Sequence, residues 1–335
     1  MPAVSIIVPC HNERQTITGL LAAIKDQEFP LSEMEVLIAD GMSDDGTREA
    51  VREFAARNTG LRIELIDNPQ RHIPAALNRA IAQAGGDVIV RLDAHSVPAR
   101  DYVARCLETL RRTSAANVGG QWEIRPGGPG ALARAIAVAG SNFLGAGDAR
   151  YRVSGSEGPV ETVPFGAYPR SWLERVGGFD EALRTNEDYE LNHRVRTAGG
   201  QVWFDPAIRS TYRARRSLSE LASQYVRYGF WKGRMLARYP ESLRWRQALP
   251  PLFVLSLLGL AFSAIWLPQA LRLLGVECIA YSSLVAGAAL SEAIRRRDVA
   301  LLPGVTAALI TMHLCWGTAF WAGLLRGWPR GRPNR

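Results

Sequence analysis

The sequence predicts an α/β domain, a mostly parallel sheet with helices on both faces, followed by C-terminal transmembrane helices. Three observations carry that expectation. Strand-like and helix-like apolar patterns alternate from Val4 to Leu92. Acidic and amide residues follow each strand directly. Three long stretches nearly free of charge occupy the end of the chain.

Residues 4–8, Val-Ser-Ile-Ile-Val, form a short β-branched run suited to a buried strand. Ile17, Leu20, Leu21 and Ile24 then fall at helical spacing. Residues 35–39 are the second strand, and Val51, Phe54 and Ala55 mark the helix after it. Residues 61–66 are the third. Ile73, Leu77, Ala80, Ile81 and Ala84 then trace a helix that Pro74 opens and Gly85-Gly86 closes. Residues 87–92 are the fourth strand, and it runs directly into Asp93-Ala-His95.

The chain has 335 residues, of which 47% are apolar, enough to fill a sizeable core. The charge-poor stretches are residues 248–267, 273–290 and 299–325. A hydrocarbon core of about 30 Å needs about 20 helical residues, so each is at or close to spanning length. Glu277 lies one turn inside the second stretch, from where it can reach the interface. Three apolar blocks in succession leave too little polar sequence to cover them as a soluble hairpin.

Between Arg209 and Arg246 ten basic residues face two acidic ones, an excess equal to the whole net charge of +8. That placement, just before the first apolar block, suits a cytoplasmic segment beside anionic lipid. It argues against nucleic acid as a partner, because a nucleic-acid binder would spread its basic surface over the soluble domain. Arg295, Arg296 and Arg297 fit the same side after two crossings. Arg326, Arg330, Arg332 and Arg335 fit it only if the block containing Leu302-Pro303-Gly304 is re-entrant or interfacial; a third crossing would break the rule. Residues 1–3 are too short for a signal peptide, so the N-terminal domain is expected to stay cytoplasmic. The four cysteines show no CxxC or other metal spacing, in keeping with a reducing compartment. The expected organisation is a soluble domain over 1–208, a basic juxtamembrane segment over 209–247, a membrane domain of about three helices over 248–325, and a basic tail over 326–335.

In open α/β sheets ligands bind outside the carboxyl ends of the strands. Those ends carry Pro9-Cys-His-Asn-Glu13, Asp40-Gly-Met-Ser-Asp-Asp-Gly46, Asp67-Asn68 and Asp93-Ala-His95. A dinucleotide site would need GxGxxG after the first strand, and Pro9 to Glu13 has no glycine. The first strand with Pro9 to Glu13, Asp40 to Thr47, Asp93-Ala-His95 and Thr185-Asn-Glu-Asp-Tyr189 resemble, in order, the motifs of family 2 glycosyltransferases of the GT-A fold. The run Arg71-His-Ile-Pro-Ala-Ala-Leu-Asn78 and the Asp-Ala-His ending are most similar to bacterial exopolysaccharide enzymes of the succinoglycan type.

The resemblance implies an inverting hexosyltransferase working from a nucleotide diphosphate donor, expected to be a UDP-sugar. Pro9, Glu13, Asp40, Asn78 and Asp93 would then bind the nucleotide sugar, with Asp40 accepting hydrogen bonds from the uracil or ribose. Asp44 and Asp45 are read instead as caps of the following helix, Asp45 the better placed. Asp93 and His95 correspond to the family's Asp-x-Asp and would hold a divalent ion against the diphosphate. Histidine in the last place tilts the expectation toward manganese, with magnesium also possible. Of the acidic pair Glu187-Asp188, Asp188 would be the general base, and Glu187 would lie on the acceptor or diphosphate side.

Gln224-Tyr-Val-Arg227-Tyr228 resembles the Gln-x-x-Arg-Trp of related synthases, with tyrosine in place of tryptophan. Gln224 and Arg227 would then contact acceptor or diphosphate, or belong simply to the basic membrane-facing helix. The expected acceptor is a polyprenyl-diphosphate-linked saccharide, in a multi-pass protein of the bacterial cytoplasmic membrane, with other polysaccharide-assembly proteins as further partners. Transfer to polyprenyl phosphate, or a non-catalytic membrane scaffold, are the alternatives. His193 is read as structural.

Overall fold

The computed structural model describes residues 2–153 and 155–328. It divides into two compact units, residues 1–123 with 154–212, and residues 124–153 with 213–335.

The first unit begins with the expected alternation: β1 (Val4–Cys10), α1 (Ile17–Lys25), β2 (Met34–Asp40), α2 (Thr47–Arg57), β3 (Arg62–Asp67), α3 (Ile73–Gln83) and β4 (Val88–Arg91). These strands lie in the order β3-β2-β1-β4 and are all parallel. Beyond β4 the sheet turns antiparallel. β5 (Val97–Pro98) and α4 (Tyr102–Thr113) lead to β6 (Asn117–Arg125), which runs up to the division between the units.

Helices α5 (Ala131–Ser141), α6 (Phe143–Ala146) and α7 (Arg150–Val153) belong to the second unit. The chain then returns through β7 (Gly158–Pro159), β8 (Ala167–Pro169), α8 (Arg170–Val176), α9 (Glu187–Thr197) and β9 (Val202–Arg213). The nine strands form one mixed sheet, with β8 antiparallel to β4 and β6, and β9 antiparallel to β5 and β7.

The period of two along β1 explains the layering. Val4, Ile6 and Val8 face a core built with Ile17, Leu20, Leu21 and Ile24 of α1 and Val103 and Cys106 of α4. Ile7 faces the opposite core, with Leu77 and Ala80 of α3, Leu173 of α8 and Leu191 of α9. A strand with both faces covered has no polar face, which is why β1 and β2 are buried throughout. Pro9 is tolerated in this central strand because it lies beyond the last β1–β4 pair, Ile7 with Arg91, and has no ladder bond to give up on that side.

The second unit is helical: α10 (Leu218–Leu236), α11 (Trp245–Ser263), α12 (Pro268–Arg296) and α13 (Leu301–Arg326) follow β9. The last three are long and apolar enough to cross a membrane. Pro303 and Gly304 lie in the first turn of an unbroken α13. Residues 124–153, expected within the 1–208 domain, pack here instead. α5 lies against α13, Arg134 pairs with Asp298 at 3.1 Å, and Asn142 donates to Glu292 Oε1 at 3.0 Å. α10 packs along α13 so closely that a Cβ on Gly233 would come 2.1 Å from the Phe320 carbonyl oxygen. Of the basic tail, Arg330, Arg332 and Arg335 lie outside the described residues.

Candidate active site

The carboxyl ends of the parallel strands are brought side by side by the register. Cys10 pairs with Asp40, and Asp40 with Asp67. The loops that leave them are stitched together. Asn12 N–H donates to Ser43 Oγ at 2.8 Å, Asp44 N–H to Asn12 Oδ1 at 3.1 Å, Glu13 N–H to Thr47 Oγ1 at 2.9 Å, and Arg14 N–H to Asp45 Oδ2 at 3.1 Å. Asn12, Met42, Arg71, Phe165 and Asn186 all have positive φ without being glycine. Such backbone is costly and concentrates where a site dictates the loop path.

Asp40 is fully buried and its acceptor capacity is used within the protein. Ser43 Oγ donates to Oδ1 at 2.5 Å, while Ser43 N–H and Arg48 Nη1 each donate to Oδ2 at 2.9 Å. Arg48 reaches on to Asp67 Oδ1 at 2.7 Å. The expectation that Asp40 meets the base or ribose therefore meets a closed arrangement here: Asp40 presents Ser43 and Arg48, and those two are what lie nearer the surface. Asn78 is also turned inward. Its Nδ2 donates to the Phe179 carbonyl at 2.9 Å and to Glu181 Oε1 at 3.0 Å, and its Oδ1 accepts from Phe179 N–H at 2.9 Å. The loop it holds includes Gly178 at φ +70°, where an added Cβ would come 2.8 Å from Asn78 Oδ1. Asn78 thus braces the loop that carries Phe179 and Glu181. Asp45 accepts from Thr47 N–H at 3.0 Å at the start of α2, although Gly46 occupies the cap position.

Glu13 and His95 form a pair, with Nδ1 and Oε1 3.1 Å apart; Thr16 Oγ1 also donates to Glu13. Burial works against ionisation of Glu13, but the bonds from His95 and Thr16 outweigh it and hold the carboxyl below its ordinary range. Burial, reinforced by the Asp40 and Glu13 charges, pushes the Cys10 thiol far up, so it is a neutral, inert group.

The residue that joins the rest was not singled out from the sequence. Arg91, the last residue of β4, is buried, with its side chain 5% exposed. Its Nε and Nη2 donate to Asp93 Oδ1 at 3.3 and 3.2 Å, and Nη2 also donates to Glu187 Oε1 at 2.9 Å. The guanidinium lies 5.8 Å from the Phe179 ring centroid. Burial discourages its charge, but Asp93, Glu187 and Asp188 together outweigh that and keep it cationic. Nη1 has no partner among the described residues, a shortfall worth about 1–3 kcal/mol. One signal in the sequence could have found it: an arginine inside the otherwise apolar run Val88-Ile-Val-Arg-Leu92.

Glu187 and Asp188 open α9, where the unsatisfied N–H groups favour negative charge. Asp188 Oδ1 accepts from the N–H of Tyr189 at 2.7 Å, and the Tyr189 hydroxyl donates to Glu161 Oε2 at 2.9 Å. Burial, and next the Glu187 charge, raise the Asp188 carboxyl to about 6 in spite of Arg91. A carboxylate poised there can accept a proton at neutral pH.

As for a metal, no three His, Cys, Asp or Glu side chains converge among the described residues. The two expected ligands, Asp93 and His95, offer an oxygen and a nitrogen. Arg91 takes Asp93 by Oδ1, leaving Oδ2 without a partner among the described residues, and His95 adds a nitrogen two positions on. Gln224 and Arg227 lie on α10 of the second unit. Gln224 Nε2 donates to the Tyr228 hydroxyl at 2.8 Å, and Arg227 lines a shallow groove with Arg215, Ser219, Glu220 and Ser223. His193 is buried in α9.

A family model described as glycosyl transferase family 2 matches residues 5–177. The chain belongs to glycosyl transferase family 2. It is 32% identical over 328 residues to the succinoglycan biosynthesis protein ExoA of Rhizobium meliloti, covering 96% of this chain and 94% of that protein. It is 29% identical over 266 residues to the dolichyl N-acetyl-α-D-glucosaminyl phosphate 3-β-D-2,3-diacetamido-2,3-dideoxy-β-D-glucuronosyltransferase of Methanococcus voltae, covering 76% of this chain and 80% of that one.

Among solved structures, the mannosyltransferase PcManGT from Pyrobaculum calidifontis, in complex with GDP-Man and Mn2+, matches with a TM-score of 0.65 at 21% identity, over 93% of this chain and 87% of its own. S. aureus TarS 1–349 in complex with UDP-GlcNAc matches with a TM-score of 0.51 at 15% identity, over 98% of this chain and 93% of its own. These likenesses identify the curled mixed sheet as the GT-A fold. This family 2 glycosyltransferase is related to succinoglycan and lipid-linked sugar transferases.

Proposed function

We propose that the protein moves a hexose, with inversion, from a UDP-sugar to a hydroxyl of a lipid-linked saccharide in the assembly of an exopolysaccharide or other envelope polysaccharide. The observation that carries this reading is the junction at the end of β4. Asp93, on the donor side, and Glu187, which precedes Asp188 at the head of α9, are tied to one buried arginine. A donor carboxylate and a proton acceptor held together are what transfer to a hydroxyl requires.

In this reading Asp188 takes the proton of the acceptor hydroxyl as its oxygen bonds to the anomeric carbon, and the bond to the diphosphate breaks on the opposite face. Asp93 and His95 would hold a divalent ion, manganese preferred, which when bound stabilises the charge of the departing diphosphate. Ser43 and Arg48, placed by Asp40, join Glu13 and Pro9 around the nucleotide, and Glu187 serves the acceptor side. The soluble domain would lie on the cytoplasmic face of a bacterial membrane, anchored by α11 to α13. Anchoring turns the search for a lipid-borne acceptor into an encounter on a surface.

The test is to incubate membranes carrying the protein with labelled UDP-glucose and UDP-galactose, with and without manganese. Label should enter a lipid fraction that is labile to mild acid and carries more than one sugar. A lipid monosaccharide as the sole product would assign the protein to polyprenyl-phosphate transfer. No labelled lipid with any UDP-sugar would overturn the reading.

A further inference from the structure

We propose that Arg91 is a positioning residue of the transfer reaction, a single buried cation that sets the donor-side aspartate and the base-bearing helix in register with each other. The inference rests on the roles read above for Asp93 and Asp188, and adds a residue to which no role has been attached.

The geometry is specific. Arg91 is the last residue of β4, paired with Ile7 of the central strand β1, so its backbone is held by the most buried part of the sheet. From there one guanidinium edge engages Asp93, two residues along the chain, and the same Nη2 engages Glu187, 96 residues away at the first position of α9. Asp188 is the next residue. A planar fork with fixed donor directions can hold two carboxylates in a set orientation, which a lysine ammonium, a point charge on a flexible stem, does less well. Binding Asp93 through Oδ1 also leaves Oδ2 as the oxygen not engaged by Arg91.

A stability role explains this arrangement poorly. Buried ion pairs are often replaceable by apolar groups at no loss of stability, and this one leaves Nη1 without a partner among the described residues. A residue kept for folding alone would be expected to satisfy its donors. A residue kept to hold two carboxylates in register at a reacting centre need not.

The experiment uses the full-length protein in detergent with Mn2+ and UDP-sugar, measuring kcat, KM and donor affinity by calorimetry, with thermal unfolding alongside. Arg91→Lys should lower kcat about 10- to 100-fold while donor KM and affinity change by less than about threefold. Glu187→Gln should show the same split, and the double variant should lose less than the product of the two, because both break one link. Arg91→Met tests the charge, and if it fails to fold the lysine and glutamine variants still decide the matter.

Wild-type kcat in a folded Arg91→Lys would overturn the proposal, as would a loss that follows the unfolded fraction and disappears on cooling, or losses that simply multiply. Asp188→Asn is the control for the underlying reading. If it transfers normally, the base assignment falls; if it is inactive while Arg91→Lys is normal, only the positioning role falls.

Discussion

At the ends of β1 and β2, Glu13 and Asp40 each meet partners of their own: His95 and Thr16 for the one, Ser43 and Arg48 for the other. At the end of β4 and the start of α9, Asp93 and Glu187 bond to one cation, Arg91, and Asp188 adds its charge beside it. Charge balance differs, and so does titration. Glu13 is held below its ordinary range, whereas Asp188 is raised to about 6. Binding a nucleotide needs acceptors that stay ionised, and moving a proton needs one whose affinity for it lies near the working pH. Accepted hydrogen bonds tune the Glu13 carboxylate one way, and burial with the Glu187 charge tunes Asp188 the other.

The largest expected effect breaks the base side alone. Asp188→Asn should lower transfer by about 10²- to 10⁴-fold, roughly 3–5 kcal/mol of barrier, with UDP-sugar affinity nearly unchanged. Radiolabelled transfer and calorimetry read the two quantities separately. If binding falls with transfer, the two sides are not distinct.

Next comes the pH profile. A general base works ionised, so kcat should fall about tenfold per pH unit below about 6 and stay level above 7, since Asp188 is raised to about 6. An acidic limb near 4 would mean an ordinary carboxylate does the work.

A third prediction concerns the donor side. Arg48→Met leaves the buried Asp40 with Ser43 alone, and should cost about 1–3 kcal/mol of stability, read as a lower unfolding temperature. An unchanged unfolding temperature would show that Ser43 satisfies Asp40 without help. The smallest effect tests the metal pair. Wild type should favour Mn2+ over Mg2+ several-fold in activity, and His95→Asp should reduce that preference, because magnesium favours all-oxygen donors. Equal activity with both ions in the wild type would remove the reason given for His95.

Much of the parallel half was legible because it is written locally. β1 to β4 and their helices each carry a continuous apolar pattern, and the strand-end residues follow at once in the chain. The antiparallel half was harder to read. β5 and β7 are two residues long and β8 is three, too short for any period to register. Residues 124–153 leave the first unit for reasons found only in distant residues, Glu292 and Asp298 among them.

What the sequence determined by itself is the order of elements in the parallel half, the family motifs, the three long apolar helices and the identity of the acidic groups at the strand ends. Each depends on residues close together in the chain. The tertiary structure alone decided what those groups do to one another: that Asp40 and Asn78 turn inward, that Glu13 meets His95, and that Arg91 joins Asp93 to Glu187. Charges interact through space over a few ångströms, and in a buried site the nearest partner is set by how the sheet folds, not by its distance along the chain.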